Sequence, residues 1–183
     1  MTNLKSTVKR LLYVAFWPIR KLTRPYRQQN EQIGGKVILP NKELLAQVRI
    51  LIKEGHTVTI NVKGYSKRPF LEHLRDKVVL GPFENLQVGD VVLAEIAPGT
   101  YVLHRIIEIC GEQLVLMGDG NLKGKEYCKT EQVAGIVKVF IRNGKQIAAD
   151  NEMWVRCGVV WRKLLPFRRF LLLCYQLNLE VSK

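Results

Sequence analysis

Between residues 57 and 148, apolar residues recur at every second position over short stretches, separated by clusters rich in Gly, Pro, Asn and Asp. That is the period of half-buried strands divided by turns. Val58, Ile60 and Val62 mark the first strand, and Gly64 ends its alternation. Further strands are expected over Lys77–Leu80, Val91–Ile96, Tyr101–Cys110, Leu114–Met117, Glu131–Arg142 and Lys145–Ala148. Asn143-Gly144 between the last two is a two-residue hairpin signal. Outside this region the spacing becomes helical. From Asn3, residues Leu4, Val8, Leu11, Leu12 and Ala15 share a face as far as Pro18. Asn41 is placed to cap a helix over Lys42–Glu54, with Gly55 as its stop. The tail from Asn151 is helical and is broken at Pro166. The pattern predicts a mainly β, antiparallel or mixed domain with flanking α-helices at both termini, not repeated strand–helix–strand units. Its expected boundaries are an N-terminal helical extension over 1–35, the β domain over 36–148 and a C-terminal helical extension over 149–183.

Charge changes this picture mainly at the ends. The formal net charge of +13 divides into +7 over residues 1–30, +2 over 31–150 and +4 over 151–183. A nearly neutral centre is not the footprint of a nucleic-acid binder, so no nucleic-acid partner is expected. Basic ends that also carry Trp, Phe and Leu suit an anionic membrane surface or a partner protein, and equally suit helices that pack together or lay their apolar side against the sheet. The longest apolar run, Leu11–Ile19, is far short of the roughly 20 residues that span a bilayer, and no cleavage-site pattern follows it. The expected location is the cytoplasm, with peripheral contact to the inner face of the cell membrane. Cys110, Cys128, Cys157 and Cys174 form no Cys-x-x-Cys pair or zinc spacing and read as reduced apolar residues; a Cys110–Cys128 bridge is the alternative. No metal or other cofactor is implied.

Candidate chemistry lies where the first strand ends. Ser66 follows Gly64-Tyr65, and Pro69 turns the chain out of the sheet, which holds the hydroxyl at a rim. A serine there serves equally as a turn residue or as a nucleophile. A nucleophile needs a base, a group to orient that base, and oxyanion donors. His104, on the same strand face as Val102 and Ile106, is one candidate base, and His73 is a local alternative. Asp119 in Gly118-Asp119-Gly120 can orient an imidazole or simply form a tight turn.

Gly64-Tyr65-Ser66-Lys67-Arg68-Pro69 resembles the Gly-x-Ser-Met-x-Pro box around the nucleophile of type I signal peptidases, whose β-rich catalytic fold is shared with the self-cleaving domain of the LexA repressor. Asp76-Lys77-Val78-Val79-Leu80, Val88-Gly89-Asp90-Val91-Val92 and Val102-Leu103-His104-Arg105-Ile106 then resemble the family's following strands, in its order. His104-Arg105 is similar to the archaeal and endoplasmic-reticulum branch, whose base is a histidine followed by Arg. Met117-Gly118-Asp119-Gly120-Asn121 resembles that branch's Lys-Gly-Asp-Asn segment. The likeness covers about residues 57–142 and is closest to short bacterial members of the superfamily.

The resemblance implies a serine-type endopeptidase, a hydrolase that matures a peptide or leader bound in extended form. Ser66 would attack the scissile carbonyl, His104 would act as general base, and Asp119 would orient it. Tyr65, Lys67 and Pro69 would border the oxyanion and substrate-binding surface. The chain departs from the family at Lys67, where the family has Met. That cation could alter cleavage preference, act as another base, or mark a degenerate site. It departs again where the family has a second Asp, because Lys125 and Glu126 stand there, and Glu126 is the candidate substitute. The competing reading is a catalytically inactive peptide-binding or membrane-associated module of the same fold.

Overall fold

The structure is a computed structural model that describes residues 41–181. The expected N-terminal helix, and the linker after it, lie outside the described residues. Helix α1 (Asn41–Lys53) packs Val48 and Ile52 into the core, and Arg49 reaches Glu95 at 2.9 Å. Gly55, at φ 90°, ends it as glycine permits: the Gly55 and His56 amides donate back to the Ile52 and Leu51 carbonyls.

The strands are β1 (Val58–Asn61), β2 (Lys77–Gly81), β3 (Val91–Ala97), β4 (Thr100–Cys110), β5 (Gln113–Met117), β6 (Glu126–Lys129), β7 (Val133–Arg142) and β8 (Lys145–Ala148). They form one sheet in the order β1-β2-β7-β3-β4-β5-β6, every pairing antiparallel. The C-terminal half of β7 pairs with β8 through the expected hairpin, where Asn143 and Gly144 take φ of 49° and 74°. The protein is thus mostly antiparallel sheet with a few helices.

Two differences from the sequence reading matter. The stretch Glu131–Arg142 is not one strand, because a 3₁₀ turn over Thr130–Gln132 precedes β7 and is fixed by the Thr130 amide on the Glu112 carbonyl. Strand β6 lies outside the expected set. Its Cys128 is buried between exposed Tyr127 and Lys129, so one small apolar residue carries the pattern.

Alternation in β3 explains how the sheet is covered. Val91 and Leu93 enter one apolar cluster, with Phe70, Leu80, Phe140, Trp154 and Trp161, while Val92 and Ala94 enter another, with Ile106, Leu114 and Leu116. Both faces of the central strands are therefore buried. The first face is closed by the tail. Helix α2 (Glu152–Lys163) is capped by the Asn151 side chain accepting from the Trp154 amide at 3.2 Å. After a 3₁₀ turn at Leu165–Phe167, where Pro166 interrupts, α3 runs over Arg168–Val181. The Trp154 ring lies 5.3 Å from Phe70 and 5.1 Å from Phe140, centre to centre. The first half of this segment thus contributes Trp154 and Trp161 to the core. The basic, aromatic composition that suggested an extension is shared by core-covering helices. Among the described residues no helix is long and apolar enough to cross a membrane. The four cysteines are free thiols.

Candidate active site

Ser66 sits in the loop between β1 and β2. The loop is closed at its neck, where the Val62 amide donates to the Asp76 carbonyl at 2.9 Å and the Leu74 amide to the Val62 carbonyl at 2.8 Å. Buried Asp76 anchors the neck by accepting from the Glu72 amide, the Asn143 amide of the β7–β8 hairpin, and the Arg75 guanidinium. A turn over Tyr65–Arg68, with the Arg68 amide on the Tyr65 carbonyl, leaves Ser66 half-buried at its crest. His73 is engaged within the same loop: its Nδ1 accepts the Gly64 amide at 2.8 Å. The ring nitrogen nearest the loop is therefore occupied, and His73 is placed to hold Gly64 in position.

A second loop, Gly118 to Asn121, lies directly on the first. The Gly120 amide donates to the Ser66 carbonyl at 2.7 Å. A Cβ on Gly120 would stand 2.4 Å from the Tyr65 carbonyl oxygen, and one on Gly118 2.8 Å from that of Ser66. Neither glycine takes a positive φ, so close approach is what requires them.

Between the loops lies a buried ionic cluster. Lys67 and Asp119 are 1% and 2% exposed, and Lys67 Nζ is 2.7 Å from Asp119 Oδ2. Arg105 grips the same carboxylate with two bonds, Nε to Oδ1 at 2.8 Å and Nη2 to Oδ2 at 3.1 Å. The tail completes the enclosure, since Trp161 Nε1 donates to the Asp119 carbonyl at 2.8 Å and Arg168 Nη1 to the Asn121 carbonyl at 2.8 Å. Burial alone would raise the Asp119 carboxyl, but Arg105 and Lys67 hold it well below the usual range. Burial pushes the Lys67 ammonium down to about 8, outweighing the pull of Asp119.

His104 faces the other way, and among the described residues no side-chain hydrogen bond joins it to Ser66. Neighbouring residues on a strand point to opposite faces, so Arg105 takes the face toward Asp119 while His104 shares a face with Ile106 and its cross-strand partner Val92. The row continues through Leu116, paired with Ile106, to Glu126, paired with Leu116. Glu126 Oε2 accordingly lies 2.9 Å from His104 Nδ1. The carboxylate facing His104 Nδ1 is Glu126, while Asp119 is held by Arg105 and Lys67. A carboxylate can only accept, so Nδ1 carries the proton and Nε2 presents its lone pair. Burial lowers the pKa of His104 from its ordinary 6.5, and the Lys67 cation lowers it further against the opposing pull of Glu126.

Lys67 and Pro69 are buried, and Tyr65 is the exposed member of the expected substrate-side set, with the Arg68 guanidinium 4.2 Å above its ring. Arg105, Trp161 and Arg168 had no assigned role in the sequence reading; the strand parity of His104-Arg105 was the available signal for the first. Among the described residues no group of three or more His, Cys, Asp or Glu is placed to hold a metal ion. Against family models, curated proteins and solved structures, the chain shows no significant match.

Proposed function

We propose that the chain is a serine endopeptidase of the signal-peptidase/LexA type, with Ser66 as nucleophile, His104 as general base and Glu126 as the carboxylate that orients it. The observation that carries the reading is the buried His104–Glu126 pair, 2.9 Å apart. It selects the tautomer a base requires and stands on the strand whose next residue, Arg105, grips the loop bonded to Ser66. His104 would take the Ser66 proton as the hydroxyl oxygen attacks the scissile carbonyl, and Glu126 would stabilise the resulting imidazolium. Collapse of the tetrahedral intermediate would return that proton to the leaving amine. Water activated by the same histidine would then release the acyl group from Ser66. Backbone amides at Tyr65 and Ser66 are the candidate oxyanion donors.

Asp119 has a different part in this reading. With Lys67 and Arg105 it locks the two loops together and so fixes where Ser66 stands. Strand β1, which leads into the nucleophile loop, is an edge of the sheet, so an extended peptide or leader could add beside it as a further strand. The alternative, a catalytically inactive peptide-binding or membrane-associated module of the same fold, is compatible with Lys67 buried against Asp119.

The test is incubation of the protein with a diverse pool of synthetic peptides, read by mass spectrometry. Cleavage products made by the wild type and missing with Ser66→Ala and His104→Ala are expected. The same products from wild type and Ser66→Ala would refute the proposal.

A further inference from the structure

The tail has a second side that the core does not use. Arg168 points inward, buried and bonded to the Asn121 carbonyl, and Cys174 and Tyr175 are buried beyond it. On the other side Phe170, Leu173 and Leu177 fall three and four residues apart, on one face of α3, and are 59%, 53% and 50% exposed. Phe167, in the turn just before, is 64% exposed. Arg169 is exposed on the same helix, and Lys163 is exposed at the end of α2. Large apolar side chains aligned in water are unfavourable unless something covers them.

Charge selects the occupant. The tail from residue 151 carries six basic and two acidic residues, and the chain's own residues 1–30 carry seven basic residues and no acid. Packing that segment, or a second copy of this face, against the row would bring like charges together. An apolar stripe with exposed Arg169 on its own helix, in a tail of net positive charge and on a helix too short to span, matches the boundary between anionic headgroups and acyl chains. We propose that the Phe167–Leu177 face docks in the plane of an anionic membrane, with Phe167, Phe170, Leu173 and Leu177 entering the acyl boundary and Lys163 and Arg169 meeting the headgroups. This proposal stands apart from the peptidase reading and does not depend on whether Ser66 reacts.

The test is sedimentation of the full chain with vesicles of phosphatidylcholine, alone or mixed with phosphatidylglycerol, at low and high salt. The wild type is expected to bind the mixed vesicles, more weakly as salt rises, and to leave the neutral ones. The double substitution Phe170→Glu with Leu173→Glu should weaken binding at least roughly tenfold, while circular dichroism and tryptophan fluorescence stay those of the wild type. Both sites are exposed and outside the candidate active site. Three results would overturn the proposal: a wild type that ignores anionic vesicles, a folded double variant that binds as the wild type does, or a row whose substitution instead dissolves a dimer seen by size exclusion.

Discussion

Replacing Lys67 by Met should stabilise the protein, although it removes one side of a buried ion pair. The folded chain holds the Lys67 proton only to about pH 8, against 10.5 for the ordinary side chain, which corresponds to about 3 kcal/mol disfavouring the buried ammonium. The attraction of Asp119 is already included in that balance. After the substitution Asp119 keeps two bonds from Arg105, at 2.8 and 3.1 Å, so no carboxylate is stranded. Met also fills nearly the volume that the lysine stem occupies. The expected gain is therefore up to about 3 kcal/mol at pH 7. Its dependence on pH has a definite sign. Between pH 8 and 10.5 the unfolded chain binds this proton and the folded chain does not, so wild-type stability rises across that window and the advantage of Met fades. Urea unfolding, followed by the fluorescence of buried Trp154 and Trp161, measures both effects. Asp119→Asn is the contrasting substitution. It leaves Lys67 and Arg105 buried without their carboxylate and should cost about 3–5 kcal/mol. A Lys67→Met protein less stable than the wild type at pH 7 would refute the reasoning, because the Lys67–Asp119 attraction would then outweigh the cost of burial.

Other substitutions test the site itself. Glu126→Gln should lower the rate of any Ser66-dependent reaction roughly 10²–10⁴-fold with little loss of stability, by analogy with removing the orienting carboxylate of a serine-protease triad. The acid limb of that reaction's pH profile should lie below pH 6.5 in the wild type and move upward in Lys67→Met, because Lys67 is one of the charges that depress His104. Gly120→Ala pushes a methyl to 2.4 Å from the Tyr65 carbonyl and should separate the two loops, lowering stability by about 1–3 kcal/mol in urea unfolding and the reaction rate with it. Trp161→Phe deletes the bond to the Asp119 carbonyl and should cost about 1–2 kcal/mol in the same assay while leaving the His104-dependent limb of the pH profile in place.

Much of the sheet could be read from alternation because most strands carry two or more apolar residues in register, and the Asn143-Gly144 hairpin because its turn chemistry is local. Strand β6 escaped because only Cys128 marks it. The helical tail was legible in its spacing and its break at Pro166, but not in its role. Trp154 and Trp161 would look alike on a membrane-surface helix and on one closing a core, and only the arrival of Phe70 and Phe140 on the same side decides between them. The candidate site shows a similar boundary. Ser66, His104 and Asp119 could each be singled out, yet which carboxylate faces the imidazole depends on which strand lies beside which. Once β4 pairs with β5 and β5 with β6, strand parity sends His104 toward Glu126 and Arg105 toward Asp119. Lys67, which looked like a departure at the substrate surface, is the counter-charge that closes the loop pair from within.

The most direct test of the proposed mechanism is the rate at which a fluorophosphonate forms a covalent adduct on the protein, read as intact mass and mapped by peptide sequencing across a pH series. A single adduct on Ser66 is expected, rising through a limb below pH 6.5 and absent from both Ser66→Ala and His104→Ala. A folded His104→Ala protein that labels like the wild type, or an adduct on any residue other than Ser66, would contradict it.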